Sequence, residues 1–271
     1  VDFVSGLDSR SGLGAYLDDW SNAIKSMNKA ITLANAGGVP CRIRILYRGK
    51  AAYSPRISGA SAFPTPTVPV LIEGVGAGRP KIRISDNLTW TLVSGTTYKA
   101  TRSNVSRVFN TTGDPDGDGN YPELTKVTGS AGQPLAARGT WAQVSGDVYV
   151  SLPPASDGGV SNDVVSDANC AAMLVTNSLQ ITQATPTGCG FFNLELEGGY
   201  PVDVMNTSAS APDRVFVFKN VVSRYSHLSF NNWRLRDSPG LIALIECGGF
   251  LSGADSFNAH WTFGGQSAMY V

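Results

Sequence analysis

The sequence has little charge and no long apolar run. Only 15% of its 271 residues are charged, and 21 basic residues balance 21 acidic ones. Without a positive excess, the composition does not favour binding to a phosphate backbone or to an anionic membrane surface. No apolar stretch approaches the ~18 residues that a membrane-spanning helix needs, and the chain opens without a basic and apolar leader. We expect neither a nucleic-acid partner nor insertion into a membrane.

Several motifs of common enzymes and metal sites are also missing. The four cysteines, Cys41, Cys170, Cys189 and Cys247, have neither CxxC pairs nor zinc-ligand spacing, which argues against a metal cluster. Cys170 and Cys189 could form a disulfide, although buried thiols are at least as common among stacked strands. The sequence has no Gly-x-Ser-x-Gly elbow, phosphate-cradling glycine loop or dinucleotide fingerprint. These absences exclude hydrolase triads, nucleotide enzymes and Rossmann oxidoreductases.

The sequence is rich instead in turn-forming residues, with 30 glycines and 15 prolines. This composition is typical of short strands joined by many turns. One segment, residues 18–36, has apolar side chains at steps of three and four and predicts a helix. Asp19 or Ser21 can cap its start, and Gly37 and Gly38 can end it.

Short apolar clusters dominate the rest of the chain. From residue 202 onward their starts lie about 13 residues apart, so two or three clusters would complete a coil of about 22 to 27 residues. Such a period predicts a solenoid in which each coil buries its apolar row against the next. In particular, residues 215–222 and 241–245 are expected to stack as parallel strands. A β-sandwich is the alternative, because no literal repeat is visible.

A resemblance favours the solenoid. Residues 2–9, read as a short strand followed by a Gly/Asp/Ser turn, precede the helix. Residues 44–49 with Tyr53, and 70–76 with 79–82, follow as two coil-like segments. This arrangement resembles the start of pectate-lyase-like proteins. The resemblance implies an all-β, right-handed parallel β-helix with an N-terminal capping helix.

Residues 90–160 interrupt the regular spacing of apolar clusters, and their pattern predicts antiparallel hairpins. Many β-helix proteins carry a similar β-insertion that ends in a Gly-Thr-Trp and a Tyr-Val-x-Leu-Pro segment. We therefore expect three parts: an N-terminal cap with the first coils (1–89), a hairpin insertion (90–160) and further coils (161–271). The last part is expected to continue or to be covered by a partner, since Val271 follows directly on a strand-like segment.

An acidic stretch within the insertion suggests a metal site. Asp114, Asp116, Asp118, Asn120 and Glu123 surround a glycine-containing turn, and alternate carboxylates can direct several oxygens to one calcium ion. The spacing departs from an EF-hand, whose twelfth position would be a glutamate. Calcium in a structural role is the hypothesis, and a solvated acidic turn is the alternative.

Candidate catalytic residues lie near the end of the sequence. Asp255 and His260 belong to a segment that resembles an Asp-Gly-Phe-Asn-x-His pattern of bacterial and phage β-helix proteins, with Ser256 in place of the glycine. A neutral imidazole beside a carboxylate can act as a general base, although polar residues at a β-helix turn can also simply satisfy backbone groups. Glu246 is a third candidate, because inverting glycosidases use two carboxylates about 6.5 to 9.5 Å apart. Other carboxylates that could form such a pair are Glu195, Glu197 and Asp203.

Candidate substrate-binding residues are Tyr225, Trp233, Arg234 and Trp261. Flat aromatic faces can stack on sugar rings, while burial in the core explains such residues equally well. Arg234 is included because polysaccharide lyases on the β-helix fold use basic residues to neutralise uronates.

Three functions remain open at this stage. The first is a phage tailspike or tail-fibre-like protein that binds, and could depolymerise, host surface polysaccharide. It would sit on the virion tail as a homo-oligomer, expected to be a trimer, or with other tail proteins. The second is a secreted, extracellular polysaccharide lyase or glycoside hydrolase. The third is a non-catalytic structural or adhesive β-helix. The three functions are placed in this order largely by fold-level analogy.

Overall fold

The structure is a computed structural model. It describes residues 1–2, 4–13, 19–49, 65–83, 88–111, 121–154, 163–166, 170–174, 178–181, 186–198, 200–205, 214–225, 233–236, 240–250, 257–260 and 267–270. The chain forms two compact units, one of Val1–Ile84 with Thr176–Val271 and one of Ser85–Val175. No helix in the described ranges is long and apolar enough to cross a bilayer.

Strands dominate both units. In chain order the elements are α1 (Met27–Gly37), β1 (Cys41–Leu46), β2 (Val70–Val75), β3 (Lys81–Arg83), β4 (Thr91–Ser94), β5 (Thr97–Thr101), β6 (Val105–Asn110), β7 (Thr125–Lys126), β8 (Thr140–Val144), β9 (Asp147–Ser151), β10 (Cys170–Leu174), β11 (Ser178–Ile181), β12 (Cys189–Glu197), β13 (Tyr200–Met205), β14 (Arg214–Arg224), β15 (Trp233–Arg236), β16 (Gly240–Ile245), β17 (Gly248–Phe250), β18 (Phe257–His260) and β19 (Ser267–Tyr270).

The first unit is a parallel β-solenoid of about five turns. Its strands form three parallel ladders. The first has the order β1-β2-β12-β14-β16-β19, and the third has the order β11-β13-β15-β18. The second ladder consists of β3, the second half of β12, the second half of β14, and β17. In the first ladder Cys189 pairs with Phe216 and Phe216 with Ile242. One coil therefore takes about 26 residues, because the chain must pass all three ladders before it returns to the same position.

The solenoid prediction is confirmed, and the sandwich alternative is wrong. Val215 pairs with Leu241 and Phe218 with Leu244, both in parallel register, as expected for stacked coils. In β14 the paired Phe216 and Phe218 point inward, so neighbouring coils share one apolar interior. Parallel pairing at this spacing cannot arise from a sandwich of antiparallel hairpins.

Aromatic stacking fills the middle of this interior. Phe191 pairs in register with Phe218, and their rings stack with centroids 5.0 Å apart and planes inclined by 10°. Trp233 from the third ladder meets the Phe218 ring edge-on at 5.2 Å. All three residues belong to one core cluster that also includes Ile72 and Leu244. The ladders are thus held by side chains that repeat once per coil.

The capping helix is shorter than predicted. Helix α1 begins at Met27 and its N-cap is Ser26, whose hydroxyl accepts a hydrogen bond from the Lys29 N–H at 3.2 Å. The Asp8 carboxylate accepts bonds from the backbone N–H groups of Lys25 and Ser26 and so fixes the start at this point. The expected caps, Asp19 and Ser21, are therefore wrong. The predicted end is confirmed, because Gly38 follows the helix with a positive φ of 67°.

Antiparallel strands make up most of the second unit. Its larger sheet has the order β4-β5-β9-β8-β7, with an antiparallel hairpin between β8 and β9, and β6 pairs separately with β10. Ser145 and Gly146 turn the hairpin with positive φ values of 49° and 87°, as a two-residue turn requires. Trp141 and Val150 lie in the core of this unit. Residues 90–160, the predicted insertion, fall inside it.

The cysteines are all thiols. The disulfide considered between Cys170 and Cys189 is not formed, and the alternative of buried thiols describes both residues. Burial raises the pKa of the Cys189 thiol. Such a thiol is a poor nucleophile and behaves as a small apolar side chain.

Candidate functional site

Two glutamates lie side by side on the second ladder of the solenoid. In β12, Leu194 and Leu196 point into the core, so the alternating Glu195 and Glu197 project from the opposite side. Glu195 lies in register with Lys81 on one neighbouring strand, and Glu197 with Arg224 on the other. Three coils therefore contribute charged residues to one place.

The four side chains form a buried ionic cluster, defined here as Lys81, Glu195, Glu197 and Arg224. The Lys81 Nζ lies 3.6 Å from Oε1 of Glu195 and 3.8 Å from Oε1 of Glu197. The Arg224 Nε lies 3.3 Å from the same Glu195 oxygen. The Glu197 side chain is completely buried, whereas those of Glu195 and Arg224 retain 10% and 12% exposure. Burial of so many charges is tolerated only because opposite charges are adjacent.

The surroundings change the proton affinity of Glu195. Burial raises the pKa of this carboxyl group most, the carboxylate of Glu197 raises it further, and Lys81 and Arg224 lower it only in part. The resulting pKa is about 7. The Glu195 carboxyl group is therefore protonated below about pH 7.

An exposed aromatic ring borders the ionic cluster. Phe250 lies in register with Arg224, and the guanidinium carbon of Arg224 is 4.8 Å from the centre of the ring. Gly248 leaves space for this ring, because a Cβ there would lie 2.9 Å from a Phe250 carbon. The buried Trp233 donates its indole N–H to the Gly248 carbonyl at 3.0 Å. Phe250 is nevertheless 47% exposed, so a ring on a fixed support faces solvent.

A row of hydrogen-bonded polar side chains fixes the corner between the first two ladders of strands. Asn193 and Asn220 adopt positive φ values of 53° and 52° at equivalent places in successive coils. The Asn220 amide donates to Asn193 Oδ1 at 2.8 Å, and Asn193 donates to the Gly74 carbonyl at 3.0 Å. Arg79 donates to Asn220 Oδ1 through Nε at 3.1 Å. The corner that precedes both glutamates and Arg224 is thereby held in one conformation.

The candidate catalytic residues are only partly within the described structure. Glu246 is exposed and sits at the corner equivalent to Asn220, with a positive φ of 52°. For His260 the description covers the backbone, which ends β18 and pairs with Arg236. Asp255 lies outside the described residues. Their proposed roles stay predictions, and no distance relates Glu246 to the other two.

The aromatic residues predicted to bind sugar are placed differently from expectation. Tyr225 and Trp233 are both completely buried, so the alternative of core packing describes them and neither ring offers a face to a sugar. Arg234 is described by its backbone in β15, and Trp261 lies outside the described residues. Among the described residues of this region, the exposed ring is Phe250, which was not predicted from the sequence.

The predicted calcium ligands fall mostly outside the description. Asp114, Asp116, Asp118 and Asn120 are not among the described residues, and the prediction stays untested. Glu123 is described, and both of its carboxylate oxygens accept from Arg107, at 3.1 and 2.8 Å. Within the ranges that the structure describes, no group of three or more potential ligands is close enough to hold a metal ion.

The sequence carries a signal for the two glutamates of the ionic cluster but not for their partners. Glu195 and Glu197 stand at alternate positions in an otherwise apolar strand, a pattern that places both on one side. Their partners Lys81 and Arg224 are far away in the sequence, one of them beyond the insertion. They could be assigned only after the coil length was known.

Comparisons with known proteins do not add a relative. No family model, no curated protein and no solved structure matches the chain. Function is therefore inferred from the geometry of the described residues.

Proposed function

We propose that the chain is a pectate-lyase-like β-helix protein of the phage tailspike or tail-fibre type that binds host surface polysaccharide. The observation that carries this proposal is the Phe250 ring, half exposed and supported on Arg224 beside the ionic cluster. A parallel solenoid of about five turns is the scaffold on which this ring is displayed. The fold alone would not specify a ligand, since one scaffold hosts many functions.

The chemistry of this place suits a sugar. An exposed aromatic face can cover the apolar side of a pyranose ring. The Arg224 side chain next to it retains 12% exposure, and a guanidinium can donate to hydroxyl or carboxylate groups with fixed geometry. Arg224 is positioned for this by Glu195 below and by Phe250 above. An acidic surface polysaccharide is therefore the substrate class that we favour.

Depolymerisation is the second candidate function, and the proton held by Glu195 favours it. A carboxyl group with a pKa of about 7 can act as a general acid at neutral pH. Glu197 is completely buried, so it cannot contact the water that the base of an inverting glycosidase activates. Glu195 would need a further partner, for which Asp255 and His260 remain candidates.

The wider setting belongs to the same proposal. We place the protein on a virion tail or outside cells, as a homo-oligomer or with other tail proteins. A calcium ion at residues 114–123 would have a structural role, pinning the acidic stretch. The balanced charge of the chain supports a carbohydrate rather than a nucleic acid as the ligand.

Binding to a polysaccharide panel tests the main proposal. The panel should contain bacterial capsules, lipopolysaccharide O-chains and uronate polymers, and binding should be measured by biolayer interferometry. We expect Phe250→Ala to weaken binding to the recognised polymer by about 1 to 2 kcal/mol. Leu7→Ala is the control, because Leu7 is also about half exposed but lies in the N-terminal segment. Unchanged binding by both variants would show that the ring is not the binding surface.

Product analysis separates binding from cleavage. A lyase would generate unsaturated sugars that absorb ultraviolet light, and a hydrolase would generate new reducing ends without that absorbance. If cleavage depends on Glu195, Glu195→Gln should abolish it even where the variant still binds the polymer, since the amide cannot supply a proton. Binding without either product would support a receptor-binding tail protein.

A further inference from the structure

Two members of the buried ionic cluster, Lys81 and Glu197, have no part in the proposed binding or cleavage of a carbohydrate. Lys81 lies on β3 and Glu197 on β12, which are neighbouring parallel strands of the second ladder. The Lys81 Nζ is 3.8 Å from Oε1 of Glu197. This contact brings together the two reactants of an amide bond, an amine and a carboxyl group.

Little water reaches this contact. The Lys81 side chain is 6% exposed, and the Glu197 side chain is completely buried. In water the separate ammonium and carboxylate are favoured over an amide, because both ions are hydrated. Burial removes much of that hydration and makes both charges costly. Condensation to a neutral amide eliminates two buried charges and releases one water molecule.

Glu195 is placed to move the protons that such a condensation requires. Its Oε1 lies 3.6 Å from the same Lys81 nitrogen. The Arg224 Nε, 3.3 Å from that oxygen, holds the carboxyl group in place. Burial is the main reason that the pKa of Glu195 is raised to about 7. A carboxyl group with such a pKa can both donate and accept a proton near neutral pH.

We propose that Lys81 and Glu197 form an intramolecular amide bond, with Glu195 as the proton carrier. The Lys81 ammonium first transfers one proton to the Glu197 carboxylate by way of Glu195. The neutral amine then attacks Cδ of Glu197 with its lone pair and forms the C–N bond. Glu195 takes a second proton from the nitrogen and delivers it to the hydroxyl, which leaves as water when its C–O bond breaks. Glu195 ends with the protonation that it had at the start.

The amide joins two coils that the antiparallel unit separates in the sequence. Lys81 precedes residues 85–175 and Glu197 follows them, yet β3 and β12 are neighbours in the ladder. The bond therefore closes a covalent ring that includes the whole antiparallel unit. A crosslink over so long a loop restricts the unfolded chain, as a long-range disulfide does. It keeps the two coils together even when the antiparallel unit is cut.

Mass spectrometry of the denatured wild-type protein tests the proposal. We expect an intact mass lower than that of the sequence by one water molecule. Trypsin should not cleave after Lys81, and the peptide that contains Lys81 should be recovered joined to the peptide that contains Glu197. An intact mass equal to that of the sequence would overturn the proposal and leave the cluster as a set of ion pairs. Loss of water without joined peptides would overturn it as well.

Two variants identify the reacting groups. Lys81→Arg keeps the positive charge but has no amine that can be acylated, so it should have its full sequence mass. Glu195→Gln keeps the size of the proton carrier without its acidity and should lower the crosslinked fraction of freshly purified protein roughly tenfold or more. Loss of ammonia by Glu195→Gln would show that position 195 is the acceptor, and complete crosslinking would show that it carries no proton. Either result contradicts the proposal.

Limited proteolysis detects the same bond independently. A single cut within residues 85–175 should leave the two wild-type fragments joined on a denaturing, reducing gel. The same cut should release separate fragments from Lys81→Arg, and circular dichroism shows whether this variant keeps its fold. Separation of the wild-type fragments would contradict the bond, whatever the state of the variant.

Discussion

The solenoid and the antiparallel unit build their sheets from contacts of very different sequence separation. In the antiparallel unit, Thr140 pairs with Ser151 across a two-residue turn at Ser145 and Gly146. In the solenoid, each residue pairs with one that is a whole coil away, such as Phe218 with Leu244. Local sequence therefore determines pairing in the first case, and the length of a coil determines it in the second.

This difference decides where functional constellations can be found. Lys81, Glu195 and Arg224 meet only because three coils bring them into register. No local motif could indicate such a cluster, since its members have no fixed spacing along the chain. The hairpin unit, in contrast, was visible from its turn residues alone.

The largest expected effect comes from breaking the contact between coils. Phe218→Ala removes a ring that stacks on Phe191 and meets Trp233, and it should destabilise the solenoid by about 3 to 5 kcal/mol. Chemical denaturation and hydrogen exchange would show loss of protection in β12, β14 and β16 together. Val215→Ala, on the exposed side of the same strand, should cost well under about 1 kcal/mol. A loss confined to β14 would contradict coupling through the stacked rings.

The second effect is the pH dependence of stability, which should have opposite signs in the two units. The pKa of Glu195 is raised from 4.5 to about 7 in the folded state, so its protonated form favours folding. The corresponding stability is present below about pH 4.5 and is lost as the pH rises through about 7, by a few kcal/mol at most. Glu195→Gln should remove this dependence in urea denaturation between pH 4.5 and 7.5.

Asp147 in the antiparallel unit should behave in the opposite way. A hydrogen bond from Lys99 lowers the pKa of Asp147 below its ordinary value of 3.8. Its small contribution is therefore present above that pH and is lost on acidification. Stability of the solenoid that rises, rather than falls, between pH 4.5 and 7 would mean that the Glu195 carboxyl does not keep a proton.

The third effect tests the hydrogen-bonded asparagines at the corner between the first two ladders. Asn220→Gly keeps the positive φ without strain but removes the side-chain bonds to Arg79 and Asn193. We expect a loss of about 2 kcal/mol, because one of these bonds involves a charged donor. Asn104 in the antiparallel unit also has a positive φ, of 60°, and its side chain is exposed. Asn104→Gly should therefore change the stability by less than about 0.5 kcal/mol in the same thermal melts.

The smallest effect concerns local turn chemistry. Gly146→Ala places a Cβ where φ is 87° and should destabilise the β8–β9 hairpin by about 1 kcal/mol. Gly37→Ala, at the end of α1 with no atom within 4 Å of the added Cβ, should be neutral or slightly stabilising. Hydrogen exchange at Thr140–Val144 would report the first change. An equal loss from both substitutions would mean that backbone conformation is not the cause.

Much of the fold was predictable, because apolar clusters separated by turns follow from strand geometry. The stacking of residues 215–222 on 241–245 was predicted from that spacing and is confirmed. The start of the helix was not, because Ile24 continues the apolar pattern although it precedes the N-cap. What fixes Ser26 as the cap is the distant Asp8 carboxylate, which no periodicity reports.

The candidate site was less predictable, because it too depends on contacts between residues that are distant in the sequence. Aromatic residues such as Tyr225 and Trp233 suit a sugar-binding face and a core equally well, and the structure buries both. Phe250 is exposed because Gly248 leaves room for its ring and Arg224 supports it from the neighbouring coil. A single sequence carries no mark of that support. Only the register of the coils distinguishes a displayed ring from a buried one.

The junction of the antiparallel unit with the solenoid has an evolutionary consequence. Gly190 pairs directly with Leu71, and Glu195 with Lys81, although residues 85–175 lie between them in the chain. The chain thus leaves the stack after its second rung, formed by β2 and β3, and rejoins it on the next rung, β12. A gene segment at this point can be lengthened, shortened or replaced by recombination while the rungs stay aligned. Such a junction lets a lineage exchange its antiparallel unit and keep its solenoid.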